Sequence, residues 1–264
     1  MNGKPMNIRQ ITAPNPGPFT LTGTQTYLIG ESTILDPGPV IDSHIEAILA
    51  AMPGLRTIVI THRHGDHAPA AVPLKTRTGA KIVAPRNVLD DSVVDRRVEG
   101  GEVLTIDGTR IDVIATPGHT NEHVCYLTAD GELFSGDTVL GSGTTAIFPP
   151  DGHMGDYLRS LETLRALAPN RIYPAHGPIR ENAVALIDEY IAHRLERERQ
   201  VLEAVAAGAT TAADLRARIY PDLDPRLRGA AEIQITAHLI KLVEEGRAPG
   251  ELLSSTAQSL FTAG

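Results

Sequence analysis

The chain has 264 residues, with a hydrophobic share of 42% and a charged share of 21%, which suits one large soluble domain or one domain with a small appendage. Its formal charge of −8 gives no general attraction to nucleic acid or to an anionic membrane, although a local basic groove stays open. No apolar run approaches a membrane span, Met1-Asn2-Gly3-Lys4-Pro5 lacks a signal peptide's apolar stretch, and the single cysteine, Cys125, excludes an intrachain disulfide, so a cytoplasmic location is expected.

Residues 6–13 read as a first strand, followed by a Pro/Gly-rich loop at 14–18. Residues 24–29 and 33–35 pair around Gly30-Glu31, and Asp36-Pro37-Gly38-Pro39 closes the hairpin as a turn. Residues 41–51 form a helix with Ile41, Ile45, Ile48 and Leu49 on one face. The β-branched run 56–60 is a short buried strand, and it runs into Thr61-His62-Arg63-His64-Gly65-Asp66-His67. A helix at 70–77 and a strand at 81–84 follow, and the acidic stretch 87–101 has no clear element and looks mobile.

The seven-residue motif is the densest group of metal-ligand side chains in the chain. His62 and His64 are two apart, so in an extended segment both point to one side. Gly65 lets the backbone turn, and Asp66 and His67 then face a neighbouring point. The pattern suits two adjacent cations, imidazoles for one and a carboxylate plus imidazole for the other.

Three later segments repeat the logic of strand, tight turn and ligand. Residues 110–115 run into Thr116-Pro117-Gly118-His119-Thr120, 132–134 into Ser135-Gly136-Asp137-Thr138, and 171–173 into Pro174-Ala175-His176-Gly177. Cys125 lies in the apolar run Val124-Cys125-Tyr126-Leu127, so it reads as a packed thiol. Residues 154–168 form an amphipathic helix. A long helix spans 181–207, with Val184, Ile187, Ile191, Leu195 and Val201-Leu202 inward, and Gly208 stops it. A threonine-capped helix then begins at 210–215 and a last helix covers 230–246.

His62, His64, Asp66, His67, His119, Asp137 and His176, in that order and those settings, resemble the metallo-β-lactamase superfamily over residues 20–180. The resemblance implies an α/β fold, an αββα sandwich with the site at the sheet edge. It implies a metal-dependent hydrolase in which His62, His64 and His119 hold one ion, Asp66, His67 and His176 the other, and Asp137 bridges them. Imidazole and carboxylate donors without thiolate suit two Zn²⁺, with Mn²⁺ or Fe²⁺ as alternatives. Such a pair can bridge a hydroxide that attacks the scissile bond. Asp66 would orient that hydroxide and is the expected catalytic residue.

Among the other histidines, His44, His193 and His238 fall in helices and read as surface or boundary residues. His123 is either an outer support of the site or part of a solvated loop. His153, beyond the 141–145 loop, is a candidate substrate contact, with the start of a helix as the plainer role.

The stretches 133–145, 157–161, 173–179 and 190–194 resemble, more narrowly, the β-lactamase-like endoribonucleases of bacteria and mitochondria. This implies a catalytic domain over residues 1–200 and a winged-helix-like helical unit over 201–264. Single-stranded RNA is accordingly the first expected substrate, in keeping with twenty arginines to four lysines. A thioester, lactone or β-lactam is the alternative, since tryptophan is absent and aromatics make up only 4%, leaving few platforms for stacked bases.

Overall fold

Alternation of side chains along the strands decides the layering. The structure, a computed structural model, describes residues 6–253. Residues 1–5 and 254–264, which carry the amino-terminal reading and the end of the predicted appendage, lie outside the described residues. In β2 (Gln25–Ile29), β3 (Thr33–Leu35), β4 (Thr57–Val59) and β5 (Lys81–Ala84), Tyr27, Ile29, Leu35, Val59 and Val83 share one apolar cluster. Leu28, Ile34, Ile58 and Ile82 belong to another, as the period-two pleat requires. Both faces are apolar, so both must be covered. With β1 (Ile8–Thr12) and β6 (Arg96–Arg97) as edges, these strands form a six-stranded sheet in sequential order. It is antiparallel through β3 and parallel from β3 onward.

A second sheet takes β7 (Val103–Ile106), β8 (Thr109–Ala115), β9 (Val124–Thr128), β10 (Glu132–Gly136) and β11 (Arg171–Pro174) in spatial sequence. Only the β10–β11 pairing is parallel. Val124, Tyr126, Phe134 and Tyr173 face the first sheet, while Cys125, Leu133 and Ile172 face outward. Helices α1 (Asp42–Ala51) and α2 (Ala71–Thr78) cover the first sheet, and α3 (Met154–Ala166) and α4 (Ala183–Ala206) cover the second. The result is the expected αββα sandwich. Fully burying each large apolar side chain between the sheets contributes about 1.5–3 kcal/mol. The tyrosine hydroxyls brought inside are satisfied, Tyr27 donating to Pro174 O at 2.7 Å and Tyr126 to Ile60 O at 2.9 Å.

Several expectations are corrected. The stretch 87–101 is held in place, with Val88 and Val98 buried and the Arg97 guanidinium donating to the carbonyls of Pro85, Val88 and Leu89. Strand β7 follows it, unanticipated because it is four residues long with only Leu104 and Ile106 buried. Leu195 is 50% exposed. The inward stripe of α4 runs through Ile187, Ile191, Arg194, Glu198 and Val201 instead. His44 and His238 are buried rather than superficial, whereas His193 is exposed.

The carboxy-terminal unit is built on the end of α4. Helices α5 (Ala212–Ile219) and α6 (Arg228–Glu244) enclose Val201, Leu215, Ile235, Leu239 and Leu242 in a core of their own. Thr211 caps α5 by accepting from Asp214 N–H. The buried Glu198 carboxylate takes Lys241 Nζ at 2.6 Å and the Arg247 guanidinium, tying α4 to α6. Replacing Glu198 with Gln leaves those cations undercompensated, although Glu245 still lies 2.8 Å from Lys241. Urea unfolding should therefore show a loss of about 3 kcal/mol. Glu203→Gln, which breaks an exposed pair with Arg199, should leave the unfolding midpoint unchanged.

Candidate metal centre

Four loops meet at one edge of the sandwich, each leaving the carboxyl end of a strand: 60–67 after β4, 116–120 after β8, 136–138 after β10 and 175–177 after β11. Two glycines make the approach close enough. Gly118 has φ +133, and a Cβ there would stand 2.4 Å from the backbone N and Cα of Tyr157 in α3. Gly136 has φ +50, and its Cβ would stand 2.6 Å from His123 Nε2. Both positions need glycine.

The loops bring all seven predicted residues together in two groups, His62, His64, His119 and Asp137 in one and Asp66, His67 and His176 in the other. In the first group, His64 Nδ1 lies 3.0 Å from both His62 Nε2 and His119 Nε2. The far sides of the two outer rings are engaged. His119 Nδ1 donates to Ala146 O at 2.7 Å, and His62 Nδ1 meets Thr61 Oγ1 at 3.0 Å. Thr61 already gives its proton to Asp36, so it accepts from His62. Two Nε2 lone pairs therefore face one His64 nitrogen, which can offer a proton to only one of them. A shared cation resolves that convergence.

In the second group, His67 Nε2 lies 3.3 Å from Asp66 Oδ2 and 3.6 Å from Asp137 Oδ2 yet has no hydrogen-bond partner, and neither does Asp137 Oδ1. Buried polar atoms left in this way are rare unless something else satisfies them. His176 Nε2 stands 3.2 Å from Asp66 Oδ2 and 3.3 Å from Asp137 Oδ1. The other Asp137 oxygen is 3.4 Å from His119 Nε2, so this carboxylate faces both groups. The donor set fits a pair of divalent cations.

Two supporting residues that the motifs did not single out, Asp36 and Thr24, complete the site. Asp36, read only as part of a turn, accepts from Thr61 N and Thr61 Oγ1, each at 2.8 Å, and from His67 Nδ1 at 3.1 Å. Its position at the carboxyl end of a buried strand was the available signal. Thr24 Oγ1 donates to Asp66 Oδ2 at 3.1 Å and accepts from Asn15 Nδ2 at 3.0 Å. His123 is buried and supports the site: its Nε2 accepts from Asp137 N–H at 3.1 Å and its Nδ1 meets Thr116 Oγ1 at 2.8 Å. His153 takes the plainer role. It caps α3, pairs with Glu244 at 2.8 Å and does not line the cavity over the two groups. Cys125 is buried and its thiol is pushed up to about 12 by burial, so it is inert at neutral pH.

Electrostatics divide the two groups. Burial, with help from the His119 ring, pushes His64 down to about 4, and burial likewise holds His62 well below its ordinary value. For His176 burial opposes protonation, but the Asp137 and Asp66 carboxylates, 3.3 and 3.2 Å from its Nε2, outweigh it and lift the pKa to about 9. His67 is raised against burial by Asp137 and Asp66. Burial would push the Asp66 carboxyl up, yet His67 and His176 keep it well below the usual carboxylate range.

A cavity of about 610 Å³ opens over His64, Asp66, His119, Asp137 and His176. A larger cleft of about 950 Å³ touches none of the seven residues.

The family model described as the metallo-beta-lactamase superfamily matches residues 20–176, more than half of the chain. The chain belongs to the metallo-β-lactamase superfamily. Members are metal-dependent hydrolases, and this chain is one. A second model, the beta-lactamase associated winged helix domain, matches residues 211–251, the unit formed by α5 and α6. Among similar proteins, the beta-lactamase-like protein 2 homolog of Caenorhabditis elegans is 36% identical over 254 residues, covering 90% of this chain and 85% of the relative. An atrochrysone carboxyl ACP thioesterase of Cryptosporiopsis sp. (strain 8999) is 28% identical, covering 93% and 82%. A beta-lactamase domain protein from Burkholderia ambifaria shares the fold at a TM-score of 0.79 and 24% identity, covering 90% and 86%.

The split in pKa makes ion uptake asymmetric. Ligand nitrogens must be deprotonated, and in the metal-free hydrolase His176 and His67 are protonated at neutral pH while His62 and His64 are not. Titrating zinc in buffers of different ionisation enthalpy should show proton release from His67 and His176 on filling the Asp66–His67–His176 group and none from His62 or His64 on filling the other. Raising the pH toward 9 should strengthen only the proton-releasing step, and His176→Ala should abolish it. Equal release in both steps would contradict the assignment.

Proposed function

We propose that this hydrolase cleaves thioesters of small apolar acyl groups. Two zinc ions would be held by His62, His64 and His119 and by Asp66, His67 and His176, with Asp137 between them. The lining of the cavity carries the reading. Beyond the ligand-type residues it consists of Phe19, Leu21, Leu140, Phe148, a proline and small neutral residues, without a lysine, an arginine or a spare acid. An apolar acyl chain suits such walls. A thiolate leaves without being protonated, because its ordinary pKa is near 8.5. A lactam nitrogen or a ribose oxygen must be protonated as it leaves, so its departure depends on the Asp66 carboxyl returning the proton taken from water, a step that a thiolate does not need.

When bound, the two cations would polarise the acyl carbonyl and lower the pKa of a water that they share. The chain's own residues do the positioning. Thr24, His67 and His176 all address Oδ2 of Asp66. The other oxygen, Oδ1, takes no hydrogen bond among the described residues and is available to accept the proton of the attacking water. His119 is anchored through Ala146 O, and this fixes the 144–146 wall against the site. The name of the thioesterase relative is in keeping with this reading.

Cleavage of single-stranded RNA is the second reading, favoured by the winged-helix match and by Arg194 and Arg197 lining a neighbouring cavity. It ranks lower because, among the described residues, no lysine or arginine lines the cavity over the centre.

Wild type and Asp66→Asn should be assayed in parallel on an acyl thioester, a single-stranded RNA and a β-lactam. The thioester should turn over fastest, and the substitution should lower that rate by about 10²–10⁴-fold with metal saturating. RNA cleavage that falls with Asp66→Asn, in the absence of thioester turnover, would reverse the order of the two readings.

A further inference from the structure

Next to the metal cavity lies a second one of about 290 Å³, reached by α4, α6 and the end of α5. Phe19, Thr144, Thr145, Ala146 and Phe148 line both spaces. They therefore share an uncharged wall, in which the Phe19 and Phe148 rings meet edge to face at 5.8 Å.

The two spaces differ in charge. The cations Arg194 and Arg197 on α4 line the second, beside His193 on α4 and His238 on α6, whose rings burial and the arginines hold below the ordinary histidine value. Arg194 is 3% exposed. It donates to Thr145 O and, at 3.4 Å, to Gln234 Oε1, and it lies 5.2 Å over the Tyr157 ring. Arg197 bonds to Gln200 and lies 4.2 Å over the Tyr220 ring. Among the described residues neither guanidinium has a carboxylate partner, and Nε of each is buried without an acceptor. His238 is fully buried, and neither ring nitrogen has a hydrogen-bond partner among the described residues. Nearby arginines behave otherwise, since Arg199, Arg216, Arg226 and Arg247 all pair with acids. Two guanidinium groups without a carboxylate partner among the described residues, in a chain of formal charge −8, leave positive charge that an anion would neutralise.

We propose that this second cavity binds the phosphate of a pantetheine arm whose acyl thioester lies over the metal centre. The inference rests on the thioester reading and names the carrier of the acyl group. Guanidinium forks match phosphate oxygens. The neutral amide chain of such an arm suits the uncharged wall between the two spaces. Gln234 and the Arg194 contact to Thr145 set the position of that wall, so the appended helices take part in substrate binding.

The test is calorimetric titration of the full-length, zinc-loaded protein with S-methyl-4′-phosphopantetheine and with S-methylpantetheine, thioethers that cannot be hydrolysed. The phosphorylated compound should bind about tenfold more tightly. Arg197→Gln, which can keep a hydrogen bond to Gln200 and should fold as wild type by circular dichroism, should reduce the advantage to about twofold or less, and Arg197→Lys should restore part of it. Equal affinity of wild type for the two compounds, or a preference untouched by Arg197→Gln, overturns the proposal. It also falls if a short 5′-phosphorylated oligoribonucleotide binds more tightly than the phosphopantetheine compound and depends on Arg197. Turnover of S-acetylpantetheine is measured separately. A phosphate preference without turnover would uphold the anion site and remove the thioesterase reading, and turnover without the preference would do the reverse.

Discussion

The Asp36 carboxylate sits without solvent exposure at the end of β3, with its backbone at φ +50. A buried carboxylate is costly unless its oxygens are well occupied. Here Thr61 N, Thr61 Oγ1 and His67 Nδ1 occupy them. Those partners are the first and last residues of the ligand motif. One side chain from a neighbouring strand thus closes the turn that sends His62 and His64 to one side and Asp66 and His67 to the other. Thr61 passes the constraint on by accepting from His62.

The remaining ligands depend on the sheets. Tyr126, from the second sheet, donates to Ile60 O just ahead of the motif, and Gln25 N donates to Ala175 O at 2.7 Å beside His176. The two sheets are thereby registered against each other at the edge where the ligand loops emerge. The carboxy-terminal helices act on the same edge from outside. Arg194 holds Thr145 O and Gln234 holds Ile147 O, and this loop supplies the His119 anchor at Ala146. The appendage thereby braces, from outside, the loop that walls the metal cavity.

How much of this was legible in the sequence follows from how local each signal was. The strand-turn-ligand pattern needs only a few consecutive residues, so all seven ligand-type residues stood out, and the sandwich followed from the family that they resemble. Asp36 did not, because Asp-Pro-Gly carries the signature of a turn and its partners lie 25 and 31 residues away. The inward stripe of α4 was misjudged at Leu195 for a related reason. Once a helix leaves the sheet to pack against two others, apolar periodicity no longer says which residues face in, and Arg194 and Glu198 are buried through partners on other elements. His238 reads as an ordinary polar helix residue until α6 is laid against α4.

The central claim is that two cations sit in the two groups and that Asp137 joins them. Anomalous diffraction from crystals grown with zinc tests it most directly. The account predicts two peaks per chain, one about 2.0–2.2 Å from donor nitrogens of His62, His64 and His119 and one at such distances from Asp66, His67 and His176, with an Asp137 oxygen bound to each. A single peak, or a second ion away from Asp66, His67 and His176, would contradict it.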